Sequence, residues 1–115
     1  MTAASWPRLP PHAPRQRIGL YGGSFNPPHA AHLMVAETAL RRLQLDKLWW
    51  MVTPGNPLKD NRGLPTLEQR IAAVRAMVRD PRITVTGLEA ELGTYYSIDT
   101  IRALKRRCGA VHFVW

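Results

Sequence analysis

The sequence has one cysteine, few acidic residues and no long apolar run, and each shortage excludes a class of protein. The single cysteine, Cys108, cannot form an internal disulfide, which excludes a disulfide-stapled secreted domain and favours a reducing cytoplasm. No apolar stretch approaches the ~20 residues of a membrane-spanning helix. Residues 1–17 also lack the apolar segment of a secretory signal. We therefore expect a cytoplasmic protein with no membrane partner.

The shortage of acidic residues leaves 16 lysines and arginines against 8 aspartates and glutamates, a formal net charge of +8. Such an excess can attract nucleic acid. Here, however, the basic residues are scattered, and pairs such as Arg41 and Arg42 fall where a helix is expected to end, which complements the helix dipole. A small substrate rich in phosphate fits the same charge balance, so we expect no nucleic-acid partner.

The order of apolar and turn-forming segments indicates one α/β domain. Four prolines predict that residues 1–16 form a disordered, proline-rich tail, which leaves 17–115 for the domain. Strands are predicted at 17–21, 47–53, 83–86 and 110–115, and helices at 30–43, 66–79 and from 97 or 99 to 108. This alternation predicts a Rossmann-like, open, mostly parallel sheet with flanking helices. Ligands of such sheets bind at the carboxyl ends of the strands.

Residues 18–32, with the sequence IGLYGGSFNPPHAAH, carry the main chemical signal. The first strand runs into Gly22 and Gly23, where the backbone can approach a ligand closely. His29 and His32 then fall at the start of a helix, where free N–H groups and the positive dipole end attract phosphate. Two histidines at this spacing could instead pack together or share a zinc ion. No third ligand accompanies them in sequence, so we expect no metal held by the protein itself.

The segment GGSFNPPHAAH resembles the nucleotidyltransferase superfamily motif G-[ST]-F-[DN]-P-x-H with H-x-G-H, and the chain is most similar to the bacterial nicotinate-nucleotide adenylyltransferases. Ala31 stands where H-x-G-H has its glycine. The resemblance implies adenylyl transfer from ATP, accompanied by Mg²⁺, to nicotinate mononucleotide, giving deamido-NAD and pyrophosphate. It also implies a catalytic role for His29 and His32, both in contact with ATP phosphates. The other ATP-binding residues that it implies are Gly22, Gly23, Ser24 and Phe25.

The resemblance implies that two further segments select the substrate that accepts the adenylyl group. The resemblance makes Asn56 and Lys59, in the loop after the second strand, candidate partners of the mononucleotide phosphate, although Lys59 could equally be an ordinary loop lysine. Residues 93–101, GTYYSIDTI, resemble the family pattern [ST]-x-Y-[TS]-x-D-T-[IL]. This likeness implies that Tyr96, Ser97 and Thr100 shape the pocket for the pyridine ring and its carboxylate. A plain helix cap at Ser97 is the alternative.

Other functions stay open at this stage. The acceptor could be that of another superfamily member, such as a pantetheine-phosphate adenylyltransferase. In the resembled family the chain continues past the position of Trp115 to a phosphate-contacting motif, I-S-S-T-x-[IL]-R, which is absent here. We therefore expect a C-terminally incomplete domain, and a nucleotide-binding fragment without turnover is a further alternative. The sequence leaves a homo-oligomer open.

Overall fold

A computed structural model describes residues 9–25, 27–54, 65–92 and 97–115, with Glu91 and Ser97 described by their backbone alone. Strands and helices alternate along these residues, as predicted. The elements are β1 (Arg17–Gly23), α1 (Ala30–Arg42), β2 (Lys47–Val52), α2 (Leu67–Met77), β3 (Ile83–Thr86), α3 (Leu88–Leu92), α4 (Ser97–Arg107) and β4 (His112–Val114). The short helix α3 was not predicted, because five residues are too few to show a helical period.

The four described strands form one parallel sheet in the order β3-β2-β1-β4. Residues Ile18 and Lys47 pair between β1 and β2, and Arg17 pairs with His112 between β1 and β4. After β3 the chain crosses to the far side of β1, so the strand order reverses beside β1. The carboxyl end of β1 is therefore the expected ligand position in this topology. The predicted Rossmann-like α/β fold is confirmed.

Both faces of the sheet are covered by helices, as a parallel sheet requires. Neighbouring residues of a strand point to opposite faces, and the two tryptophans of β2 show this directly. Trp50 belongs to a core cluster with residues of α1 and α2, such as Leu40 and Val74. Trp49 belongs to a second cluster with Leu88 of α3 and Leu104 of α4. The two tryptophans thus pack on opposite faces of the sheet.

The start of α2 lies close to its predicted position and carries a capping box. The Gln69 N–H donates to Thr66 Oγ1 at 3.1 Å, and the Thr66 N–H donates to Gln69 Oε1 at 2.9 Å. These two bonds satisfy backbone donors that a helix start leaves without partners. The helix ends at Met77, two residues before the predicted end, because the backbone of Val78 is already extended.

Residues 9–16 run along the amino-terminal edge of the sheet. Leu9 packs against the cluster that contains Trp49, and Lys47 Nζ donates to the Pro11 carbonyl at 2.9 Å. His12 Nε2 lies 3.4 Å from Cys108 Sγ. The predicted division at residue 16 into a tail and a domain stays a prediction, and residues 1–8 lie outside the described residues. In the part of the chain that the structure describes, no helix has the length and apolar character to cross a membrane.

Candidate functional site

The loop after β1 is held in place by an aromatic side chain in an unusual backbone conformation. Phe25 has φ of 49°, in the left-handed region that residues with a Cβ rarely adopt. Its ring is nevertheless buried, with centroid distances of 5.4 Å to Tyr21, 5.1 Å to Trp50 and 5.1 Å to His32. Aromatic burial on three sides compensates for a backbone strain of ~1–3 kcal/mol. The buried ring therefore anchors Phe25 beside the start of α1.

The two glycines before this loop differ in what surrounds them. A Cβ on Gly23 would lie 3.2 Å and 3.3 Å from Phe25 ring atoms, closer than an ordinary contact. A Cβ on Gly22 would meet Met51 and Trp115 at 3.6 Å, an ordinary van der Waals distance. Gly23 is thus the glycine that lets the Phe25 ring close over the end of the strand.

The two predicted catalytic histidines meet at the start of α1. His29 is the N-cap residue, and its backbone N–H donates to His32 Nδ1 at 2.9 Å. The two rings lie 5.3 Å apart between centroids. Because Nδ1 accepts this bond, a neutral His32 carries its ring proton on Nε2. The local backbone thereby prepares His32 to donate a hydrogen bond from Nε2.

These parts enclose a crevice of ≈ 370 Å³ at the carboxyl end of β1. Its volume lies near the lower end of the ~300–1,000 Å³ typical of ligand pockets. The lining residues are Tyr21, Gly22, Gly23, Ser24, Phe25, Pro27, His29 and His32. None of them carries a carboxylate, and the helix start contributes a positive dipole end. The crevice therefore favours an anion such as a phosphate chain.

The crevice brings together six of the residues predicted to bind ATP, but it does not test their roles. Ala31, at the position of the family glycine, is exposed and is not among the residues that line it. Among the described residues there is also no group of three or more His, Cys, Asp or Glu side chains that could hold a metal ion.

Arg70 of α2 lies beneath the crevice and was missed as a site residue. A helix arginine is normally solvated, but the Arg70 side chain is only 4% exposed. Its Nη1 donates to the carbonyls of Ser24 at 3.1 Å and Thr53 at 2.7 Å, and its Nε donates to the Pro65 carbonyl at 3.1 Å. Burial lowers the pKa of this guanidinium. One cation thus joins the loops after β1 and β2 to the start of α2.

The predicted acceptor residues are only partly described. Asn56, Lys59 and Tyr96 lie outside the described residues, and Ser97 begins α4. Thr100 is fully buried, and its Oγ1 donates to Glu89 Oε2 at 2.7 Å.

Glu89, in the unpredicted helix α3, was also missed. Burial raises its pKa, and the hydrogen bond from Thr100 opposes this shift less strongly. The Thr100 hydroxyl is therefore engaged inside the protein, where it joins α3 to α4.

A family described as "Cytidylyltransferase-like" matches residues 20–105. The chain is 63% identical over 99 residues to the probable nicotinate-nucleotide adenylyltransferase of Methylorubrum extorquens (strain PA1), covering 86% of this chain and 54% of that protein. It is 59% identical over 99 residues to the protein of the same name from Bradyrhizobium sp. (strain ORS 278), covering 86% and 52%.

Among solved structures, the fold is similar to Plasmodium falciparum nicotinic acid mononucleotide adenylyltransferase complexed with NaAD. The TM-score is 0.69 at 19% identity, covering 86% of this chain and 50% of that one. At this identity the likeness concerns the fold alone. The chain spans about half the length of the curated relatives that it matches.

Proposed function

The chain belongs to the cytidylyltransferase-like family, and on that premise we propose that it binds ATP in the crevice beside His29 and His32. We further propose that the protein transfers the adenylyl group of ATP to nicotinate mononucleotide. The observation that carries the proposal is the convergence of the glycine turn, the buried Phe25 and the two histidines on one crevice, whose described lining residues include no carboxylate. The names of the relatives support nicotinate mononucleotide as the acceptor.

The proposed reaction needs no covalent enzyme intermediate. A phosphate oxygen of nicotinate mononucleotide attacks the α-phosphorus of ATP and forms the new P–O bond. The bond from the α-phosphorus to the oxygen shared with the β-phosphorus breaks, and its electron pair leaves with pyrophosphate. The protein must bring two anions together and stabilise the charge that grows on the non-bridging oxygens.

His32 is suited to stabilise that charge. Its Nδ1 is occupied by the His29 N–H, so Nε2–H is left to donate to an oxygen of the α-phosphate. His29, the N-cap of α1, would bind a neighbouring phosphate, and the main chain of residues 22–25 would line the rest of the triphosphate. Mg²⁺ would enter bound to the ATP phosphates and would neutralise part of their charge, because the lining residues offer no carboxylate.

The acceptor side of the site stays a proposal from resemblance. Asn56 and Lys59 would meet the mononucleotide phosphate, and Tyr96 and Ser97 would meet the pyridine ring and its carboxylate. Thr100 would act from inside the protein, because its hydroxyl donates to the buried Glu89. We also propose the cytoplasm as the location, on the single cysteine, and leave a homo-oligomer open.

Calorimetric titration with MgATP, followed by an assay of pyrophosphate release, tests the proposal. We expect saturable ATP binding and release that depends on nicotinate mononucleotide, with little release when 4′-phosphopantetheine replaces it. His32→Ala should lower the rate by ~10²–10³-fold, as loss of a donor to a developing oxyanion does in other enzymes. The matched control is His112→Ala, which removes an exposed histidine of β4 outside the crevice.

Three results would decide against parts of the proposal. A folded sample that binds no ATP would refute the nucleotide site. Release with 4′-phosphopantetheine alone would assign a different acceptor. ATP binding without release on any acceptor would favour a nucleotide-binding function without turnover.

A further inference from the structure

We propose that Arg70 is a positioning residue of the ATP site, which orients the Ser24–Phe25 peptide so that the Phe25 N–H faces the bound phosphates. This inference rests on the proposed ATP site, and it assigns a role to a residue that does not itself line the crevice. The guanidinium of Arg70 contacts three separate segments of the backbone. One planar group holds three backbone carbonyls, from the loop after β1, the loop after β2 and the start of α2.

The three carbonyls belong to three separate segments of the chain, all of which Arg70 contacts. Ser24 directly follows β1, and Thr53 directly follows β2. The two strands are paired up to Gly23 and Val52, and the Thr53 N–H still donates to the Gly23 carbonyl at 2.9 Å. The Ser24 carbonyl lies one residue beyond that last bond of the ladder. Arg70 therefore provides a hydrogen bond to the backbone just beyond the last ladder bond of β1.

Fixing the Ser24 carbonyl also fixes the N–H of the next residue. A trans peptide is planar, and its C=O and N–H point in opposite directions. With the Ser24 oxygen directed at the guanidinium, the Phe25 N–H points away from Arg70. This N–H donates to no other residue of the described ranges, and Phe25 lines the crevice. A charged donor on the carbonyl also polarises the peptide and strengthens its N–H as a donor.

A merely structural role predicts a different set of effects. Arg70 makes hydrogen bonds to carbonyls and forms no ion pair with a described carboxylate. A lysine would keep the charge but could not reproduce the rigid fork that reaches three acceptors. If Arg70 only connected the loops, its loss would lower the stability of the fold and weaken the binding of every ligand to the same extent. If Arg70 orients the Phe25 N–H toward the phosphates, loss of Arg70 should weaken the binding of phosphate-carrying ligands in particular.

The test compares Arg70→Lys and Arg70→Gln with Arg79→Lys, which changes an exposed arginine beyond the end of α2. Calorimetry with MgATP and with adenosine gives the two affinities, and thermal unfolding followed by circular dichroism gives the stability. The amide resonances of Phe25 and Thr53 in the ligand-free protein give a readout independent of ATP. For Arg70→Lys we expect ATP affinity to fall by about tenfold or more, as for loss of a charge-assisted hydrogen bond. Adenosine affinity should change less than about twofold.

The outcomes separate this inference from the proposed function. If the wild-type chain folds but binds no ATP, the proposed function fails, whereas a shifted Phe25 amide in Arg70→Lys would still support the positioning role. If wild type binds ATP and Arg70→Lys binds it equally well, the positioning role is overturned. Equal losses for ATP and adenosine, or failure of both Arg70 variants to fold, would also overturn it, because the inference requires a local effect on the phosphates.

Discussion

The close approach of Gly23 to the Phe25 ring allows a prediction about the stability of the fold, and the neighbouring Gly22 provides a matched control. Gly23→Ala places a methyl group 3.2 Å and 3.3 Å from two Phe25 ring atoms. Tyr21, Trp50 and His32 pack around this ring, so it has little room to move. Gly22→Ala places the same methyl group 3.6 Å from the Met51 and Trp115 side chains, where it fits without a shift.

The magnitude follows from the difference between the two variants. Each replacement restricts the unfolded chain and so stabilises the fold by ~0.4–1 kcal/mol, provided that the backbone conformation suits alanine. Neither glycine has the positive φ that would strain alanine, so this contribution is about equal in both. Overpacking at Gly23 costs ~1–3 kcal/mol. We therefore expect Gly23→Ala to be less stable than Gly22→Ala by ~1–3 kcal/mol.

Urea denaturation followed by tryptophan fluorescence measures this difference, since Trp50 contacts the ring that would be displaced. The displaced ring would also press on His32, so Gly23→Ala should weaken ATP binding in parallel. If the urea transitions of the two variants had equal midpoints and slopes, the Phe25 ring would be able to move aside without loss of stability. The account of a fixed loop at the end of β1 would then be wrong.

Two further predictions concern buried titratable groups. Burial raises the pKa of Glu89, so folding favours the protonated form of this side chain. The stability that protonated Glu89 contributes is greatest below the ordinary glutamate pKa. It is lost as pH rises through the raised pKa. Glu89→Gln, whose amide oxygen can still accept from Thr100, should therefore be more stable than wild type at pH 7 and lose that advantage by pH 4; urea denaturation at both pH values checks this, and a constant difference would contradict it. The Cys108 thiol is buried with a raised pKa and contacts His12, so native alkylation should be slow. His12→Ala should speed alkylation by roughly 2- to 10-fold through loss of one hydrogen bond, and mass spectrometry showing no acceleration would refute the contact.

The elements that the sequence predicted well are those whose signal is local. The run KLWWMV predicts a strand buried on both faces, and all five residues after Lys47 are buried. The helix start predicted at residue 66 is stabilised by a capping box that requires only residues three apart, Thr66 and Gln69. The same holds for His29 and His32, which one helical turn brings together. Helix α3 escaped prediction because a helix of five residues leaves no periodic trace.

Arg70 escaped prediction for a different reason, which lies in the sheet. A long cationic side chain on an amphipathic helix is normally solvated, and nothing within a turn of Arg70 indicates otherwise. Two of its three acceptors lie 46 residues away at Ser24 and 17 residues away at Thr53. They become neighbours only because β1 and β2 pair in parallel and end at the same edge. Carbonyls just beyond the last ladder bond of paired parallel strands need donors, and α2 begins where it can supply them. The position of Arg70 beneath the ends of β1 and β2 therefore depends on strand pairing, which a local sequence pattern does not show.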